Sequence, residues 1–266
     1  MRVLACLYHE HNLWIVALAA AMCLVGSLTS VKLFQRTFTD TGASRYQWCF
    51  LSAFTAGSAI WATHFIAMLG YRPGVPVTLD GTLTVLSALI AIVGTAVGLL
   101  VGSSRNRFIA VFTGGGIIGL SIASMHYLGM FAYRADGIVR WLPEYVIASL
   151  VLSVTLSALV IDRVRKIGMS KKKQLQYIAL HDALTEVPNR RAFAEALKVE
   201  CEKLDNHGRP FALLMVDLDR FKPINDTLGH PVGDIVLQKV AWRLRYAVRH
   251  GDMVARIGGD EFAVIA

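Results

Sequence analysis

The chain has 266 residues, 55% of them hydrophobic and only 17% charged, a balance that excludes an ordinary soluble domain and leads us to expect membrane spans. Its 27 Lys and Arg against 19 Asp and Glu leave a net charge of +8. In a membrane chain such an excess marks cytoplasmic flanks and lipid headgroup contact, and no basic patch interleaved with aromatics argues for nucleic acid. Cys6, Cys23, Cys49 and Cys201 are scattered without a C-x-x-C pair, so no disulfide framework is expected. Only Arg2 precedes the first apolar run, which lacks the basic n-region of a secretory signal and reads as an uncleaved span.

Five apolar runs are long enough, or nearly so, to cross a bilayer: Leu13 to Phe34, Trp48 to Leu69, Leu83 to Val101, Phe108 to Tyr133 and Tyr145 to Ile161. Arg36 and Arg45 follow the first, Arg105 and Arg107 the third, and Arg163, Arg165, Lys166, Lys171, Lys172 and Lys173 the fifth, whereas the other side carries Arg2, Arg72, Arg134 and Arg140. The positive-inside rule then predicts a multi-pass protein of the cytoplasmic (inner) membrane, with its N-terminus outside and its C-terminal part in the cytoplasm.

The spans contain a repeat. Gly57, Ile60, His64, Met68, Tyr71 and Arg72 fall on Gly119, Ile122, His126, Met130, Tyr133 and Arg134. Each copy is a helix pair whose second member ends in His, three residues, Met, a spacing that stacks imidazole and thioether on one helix face near its outer end. A histidine inside a span is costly and therefore a functional candidate, and soft thioether with imidazole suits copper, especially Cu(I). The alternative is that His64 and His126 hydrogen-bond between helices as packing glue. The segments from Ala62 to Met68 and from Ser124 to Met130 resemble the MHYT integral membrane sensor family, with Thr63 where that family usually has Met and span five opening a third copy that lacks its motif. The resemblance implies copper bound through His64, Met68, Met125, His126 and Met130, and sensing of oxygen, carbon monoxide or nitric oxide.

From Val164 to Leu180 the chain turns basic, with Leu175, Ile178 and Ala179 at helical spacing, which predicts a short signalling helix. Lys171, Lys172 and Lys173 read as a solvated anchor facing headgroups, and Leu175 and Ile178 are candidates for pairing across a dimer.

Beyond it, Asp182 is a candidate cap for a helix starting near Pro188 or Asn189, with Phe193, Ala196 and Leu197 on its apolar face. An apolar strand from Phe211 to Val216 runs into Asp217, Leu218 and Asp219, both carboxylates on one face by period-2 geometry. Near the end, Val254 and Ile257, then Phe262 and Val264, flank a Gly258-Gly259 pair that predicts a hairpin turn with both glycines at positive φ and Asp260 and Glu261 at its mouth. Four carboxylates on neighbouring strand ends repel unless a cation lies between them, and hard oxygen ligands suit Mg²⁺ bridging to substrate phosphates.

Asp217, Leu218, Asp219, Phe221, Lys222, Asn225, Asp226, Gly229, His230, Gly233 and Asp234, followed by Gly258 to Phe262, resemble the GGDEF family of diguanylate cyclases. Upstream, Asp182, Leu184, Thr185, Asn189, Arg190 and Arg191 are similar to its opening signature, with Glu186 and Val187 where the family usually has Gly-Leu. The resemblance implies Mg²⁺ (or Mn²⁺) held by Asp217, the Leu218 carbonyl and Asp260, with Glu261 as the neighbouring catalytic carboxylate. It further implies Phe221 and Lys222 at phosphate-loop positions, Asn225 and Asp234 on the guanine edge, and Arg249 with Asp252 as an inhibitory site for cyclic di-GMP. Taken alone, Asp234 also reads as a helix N-cap, and Arg249 with Asp252 as a surface ion pair.

Together these readings predict a five-span α-helical membrane bundle at residues 1–162, a linker helix at 163–181 and a cytoplasmic α/β domain of ferredoxin-like, partial GGDEF type at 182–266. The expected function is signal transduction, with two GTP joined into cyclic di-GMP by a homodimer under control of the membrane domain. A non-catalytic GTP or cyclic di-GMP binder, or a membrane metal-binding protein with a vestigial output, are the alternatives. The chain stops at Ala266, so the resemblance covers about the N-terminal half of a cyclase domain, and a truncated product or a fragment is expected.

Overall fold

The computed structural model describes residues 11–71, 75–135 and 142–266, so Cys6, Arg72 and Arg140 lie outside the described residues. Two compact units divide the chain, Met1–Lys172 and Lys173–Ala266. In the first, the apolar runs form α1 (Leu13–Thr39), α2 (Gly42–Leu69), α3 (Gly81–Gly102) and α4 (Ile109–Ala132), whose first six residues, Ile109–Gly114, are π-wound. The fifth run and the basic segment after it form one unbroken helix, α5 (Pro143–Leu180), where a span followed by a separate short helix was expected. All five helices are long and apolar enough to cross a membrane. Local chemistry sets where they begin. Asn12 caps α1 by accepting from Trp14 N (3.1 Å), and Asp80 caps α3 by accepting from the amides of Thr82 and Leu83. Cys23, Cys49 and Cys201 are free thiols.

The sequence repeat is also a packing repeat. A Cβ built on Gly57 of α2 would stand 2.6 Å from Ile92 Cα on α3, and one on Gly119 of α4 would stand 2.4 Å from Val154 Cα on α5. Both positions therefore admit backbone contact that only glycine allows. Ser87 and Ser149 also correspond, and each takes a hydrogen bond from an aromatic side chain of the preceding helix, though Tyr127 stands one turn beyond Ala123, the counterpart of Trp61. Trp61 donates its indole N–H to Ser87 (3.1 Å), and Tyr127 bonds Ser149. Towards the other end Phe34, Phe38, Cys49, Leu99, Ile118 and Ile161 form the apolar core. Ser30 and Ser52 join α1 to α2 by each donating to the other's carbonyl. A two-stranded pair, β1 (Val77–Leu79) with β2 (Tyr133–Ala135), closes the end where α2 and α4 stop.

The second unit holds α6 (Arg190–His207), β3 (Leu213–Val216), α7 (Phe221–Leu228), α8 (His230–Ala247), β4 (Met253–Gly258) and β5 (Glu261–Ile265). Its three strands form an antiparallel sheet in the order β3-β5-β4. Val187, Leu237, Ala241 and Phe262 are its core, with Val216, Leu218 and Phe221 packed against them.

Three local expectations are corrected. The hairpin turn is Gly259-Asp260 rather than Gly258-Gly259, because a bulge between Arg256 and Gly258 shifts the register and pairs Gly258 with Glu261; of the two glycines only Gly259 has positive φ, at +51°. Asn189, not Asp182, caps α6, accepting from the amides of Arg191 and Ala192. The strand expected from Phe211, β3, starts at Leu213 and ends at Val216, with β5 rather than β3 at the centre of the three strands, so Asp217 and Asp219 lie beyond it, Asp219 in a turn.

Candidate functional site

Each unit carries a constellation. In the membrane unit, α2 and α4 bring their histidines together edge-on, ring planes 71° apart, with His64 Nδ1 3.3 Å from His126 Nδ1. One ring nitrogen must donate and the other accept, so the pair holds complementary tautomers with one proton between them. The rings border a cavity of about 640 Å³ lined also by Met68, Met130, Tyr71 and Arg134. His64 Nε2 is buried without a hydrogen-bond partner, pressed towards Gly129, where an added Cβ would come within 2.4 Å. Met125 is 2% exposed and does not line the cavity, because residues adjacent in a helix point about 100° apart.

Sequence reasoning did not single out His11, which lines this cavity and tilts against Tyr71 with ring centroids 5.1 Å apart. It precedes the first span and no periodicity marks it. Among the described residues no three His, Cys, Asp or Glu side chains converge on one metal position. A metal here would therefore take the two paired imidazoles together with the Met68 and Met130 thioethers, a soft donor set that fits copper.

In the second unit the sheet places the carboxylates. One residue beyond the last β3–β5 pair, Val216 with Phe262, the two chains continue as Asp217 and Glu261, and Asp260 occupies the adjoining turn. Asp217 and Glu261 are exposed and Asp260 half-buried, and none of the three carboxylates has a hydrogen-bond or ion-pair partner among the described residues. Unpartnered hard oxygens with the Leu218 backbone beside them fit Mg²⁺, which needs only one or two carboxylates when phosphates complete its shell.

The turn is braced by a residue that the sequence did not flag. Arg256 donates its Nη1 to Asp182 Oδ1 (2.9 Å) and its Nε and Nη2 to the Gly259 carbonyl (3.0 and 2.7 Å). Asp182 also accepts from the amide and hydroxyl of Thr185. Partial burial pushes the Asp182 pKa up, but the bonds from Thr185 and Arg256 outweigh it and hold the carboxyl below its usual range. A short-range signal for this lock does not exist, since its partners are 74 residues apart.

Around this edge, Phe221 begins α7 and packs on the core, while Lys222 is exposed. The Asn225 amide abuts Gly233, where a Cβ would come within 1.9 Å of its Oδ1, and this sets it beside the chain neighbour of Asp234. Asp234 lies inside α8, so the N-cap reading fails. Asp252 accepts from the backbone amide of Arg249 (2.9 Å), which leaves the Arg249 guanidinium unpaired among the described residues and replaces the expected ion pair by a turn.

Residues 179–266 match the family model described as diguanylate cyclase, GGDEF domain. Residues 57–115 and 119–164 match the MHYT model, described as a bacterial signalling protein N-terminal repeat. The chain carries MHYT repeats and a GGDEF domain. The two MHYT matches contain one histidine each of the pair, and the GGDEF match spans the lock and all three carboxylates. The bifunctional diguanylate cyclase/cyclic di-GMP phosphodiesterase MucR of Pseudomonas aeruginosa is 26% identical across 97% of this chain and 51% of its own length. The diguanylate cyclase TpbB of the same species is 48% identical across 34% of this chain and 21% of its own. Its isolated GGDEF domain, as a solved structure, superposes with a TM-score of 0.31 at 49% identity, covering 32% of this chain and 49% of that one. The chain spans about half or less of the length of these relatives.

Proposed function

We propose that this protein is a membrane-bound signalling enzyme whose GGDEF domain, in a homodimer, joins two GTP into cyclic di-GMP under control of its MHYT unit. The observation that carries the reading is the carboxylate edge: Asp217 beyond β3 and Asp260 and Glu261 at the turn held by Arg256 stand with unpartnered carboxylates at one end of the sheet. In this reading Asp217, the Leu218 carbonyl and Asp260 hold Mg²⁺ or Mn²⁺, which would supply positive charge at the α-phosphate and ease ionisation of the attacking 3′-hydroxyl. Glu261 keeps its carboxylate at the same edge, Lys222 meets phosphate, and Asn225 and Asp234 read the guanine edge. Arg249 and Asp252 bind the product as an inhibitor, the free guanidinium reaching guanine or phosphate.

The same proposal takes residues 1–162 as the sensor, 163–181 as the connecting helix and 182–266 as a ferredoxin-like output. It places the N-terminus outside and the output in the cytoplasm of a cell with an inner membrane, on the arginine and lysine asymmetry. The sensor takes copper, or a gas through it, at His64 and His126 with Met68 and Met130. Two measurements test this. The protein expressed from its gene should form cyclic di-GMP from GTP with Mg²⁺ and lose that activity in Glu261→Ala; an inactive protein that still binds GTP would favour the non-catalytic binder. Purified protein should hold copper that His64→Ala with His126→Ala removes; equal copper in both would leave the histidine pair as interhelical glue.

A further inference from the structure

At the end of the membrane unit opposite the histidine cavity, a second cavity of about 360 Å³ opens among the C-terminal turn of α1, the start of α2, the loop after α3 and the basic part of α5. Four cationic side chains line it, Arg45, Arg105, Arg165 and Lys172, against one carboxylate, Asp40. That carboxylate is already engaged, accepting from Ser44 (2.9 Å) and the Trp48 indole (2.7 Å). Two of the cations build the wall. Arg165 is 4% exposed and donates to the Gly102, Ser104 and Arg105 carbonyls, and Arg45 donates to the Ser103 carbonyl and hydroxyl.

The end of α3 offers only a partial negative charge to these two guanidiniums, so the cavity stays positive. The side chains of Arg105 and Lys172 have no hydrogen-bond or ion-pair partner among the described residues. Lys172 is half-buried where its neighbours Lys171 and Lys173 are exposed. Thr37 supplies the independent sign of a missing occupant. It is 2% exposed, lines the cavity, and its hydroxyl has no hydrogen-bond partner. A buried hydroxyl left unbonded costs free energy that an acceptor in the cavity would recover.

We propose that this cavity binds the phosphate head of one anionic phospholipid, held by Arg105, Lys172 and the Thr37 hydroxyl on a floor made by Arg45 and Arg165. A phosphodiester supplies the charge these groups lack and the acceptor Thr37 needs. Depth favours a lipid over a soluble anion. The cavity lies where spans end, next to Trp48, whose ring carries the Arg36 guanidinium at 4.5 Å, an aromatic and cationic pairing characteristic of the membrane interface. The site is distinct from a diffuse lysine anchor because only one of three consecutive lysines lines it.

The test uses the whole chain, stripped of lipid in detergent and titrated with phosphatidylglycerol or phosphatidylcholine while native mass spectrometry counts lipids retained per chain. One phosphatidylglycerol should be held in preference to phosphatidylcholine. Arg105→Ala with Lys172→Ala should weaken it by roughly thirty-fold, each cation near an anionic surface being worth about five- to six-fold. Thr37→Val, which keeps the shape, should weaken it by about five-fold. Lys171→Ala with Lys173→Ala should change it by less than about three-fold; a loss equal to that of the first pair would show diffuse attraction and overturn the site. Displacement of the lipid by millimolar inorganic phosphate, or equal retention of the two lipids, would overturn it as well.

Discussion

The packing repeat can be broken at a single atom. In Gly119→Ala the new Cβ would lie 2.4 Å from Val154 Cα and 2.6 Å from its nitrogen, where ordinary contact begins near 3.4 Å, so α4 and α5 must separate by about 1 Å. These neighbours are backbone and cannot rotate away. Overpacking of this kind costs about 1–3 kcal/mol, and a gap of 1 Å along the rest of the interface forfeits part of the surrounding dispersion contacts, so about 2–3 kcal/mol is expected. At roughly 2–4 °C per kcal/mol for a chain of this size, the melting temperature in detergent should fall by about 5–10 °C. Gly116, three residues earlier on the same helix, is an internal control, since a Cβ there meets nothing within 4 Å. Gly116→Ala should be neutral or stabilise by up to about 1 kcal/mol through helix propensity. Gly57→Ala, facing Ile92 Cα at 2.6 Å, should behave like Gly119→Ala. Equal melting temperatures for Gly119→Ala and Gly116→Ala would refute the close crossing of α4 on α5.

Glu186 has φ +59°, a left-handed conformation that glycine adopts without strain, so Glu186→Gly should stabilise the second unit by about 1 kcal/mol in chemical denaturation; a loss of stability would mean that its side chain contributes more than the strain it costs. Because the Asp182 pKa is depressed in the folded chain, its bonds stabilise above the carboxylate's ordinary pKa and are lost as pH falls through the lower folded value. Hydrogen exchange across residues 180–190 should accordingly be faster in Asp182→Asn than in wild type at pH 6, with the gap closing below about pH 4; a constant gap would place the effect elsewhere. If Arg249 serves the inhibitory site, Arg249→Ala should abolish inhibition of the expressed enzyme by added cyclic di-GMP and leave the initial rate unchanged. Unaltered inhibition would move the site to other residues.

Some of this protein is written locally and is readable without a fold. Hydropathy marks all five apolar helices and the ends of four of them to within about six residues, while the fifth runs on past its apolar part to Leu180. The 62-residue offset that aligns His64 with His126 is equally visible, and so are the spaced motifs that identify the GGDEF domain. Periodicity alone puts Met68 under His64, and the same geometry would have turned Met125 away from His126.

Other features depend on contacts between residues far apart in the chain. That His64 meets His126 depends on α2 passing close to α4, where a Cβ on Gly129 would come within 2.4 Å of His64 Nε2, and that glycine does not say which side chain it will meet. The turn that presents Asp260 is set by a bulge that exists only as a pairing of β4 with β5. Asp182 reads as a helix cap until Arg256 arrives from 74 residues away and takes its carboxylate. Arg165 looks like one more member of a basic tail, yet it is buried on the carbonyls that end α3. In each case the side chain has two plausible partners, one near in sequence and one distant. Local preferences are worth a few tenths of a kcal/mol to about one, whereas an unsatisfied buried charge costs more, so tertiary packing decides between them.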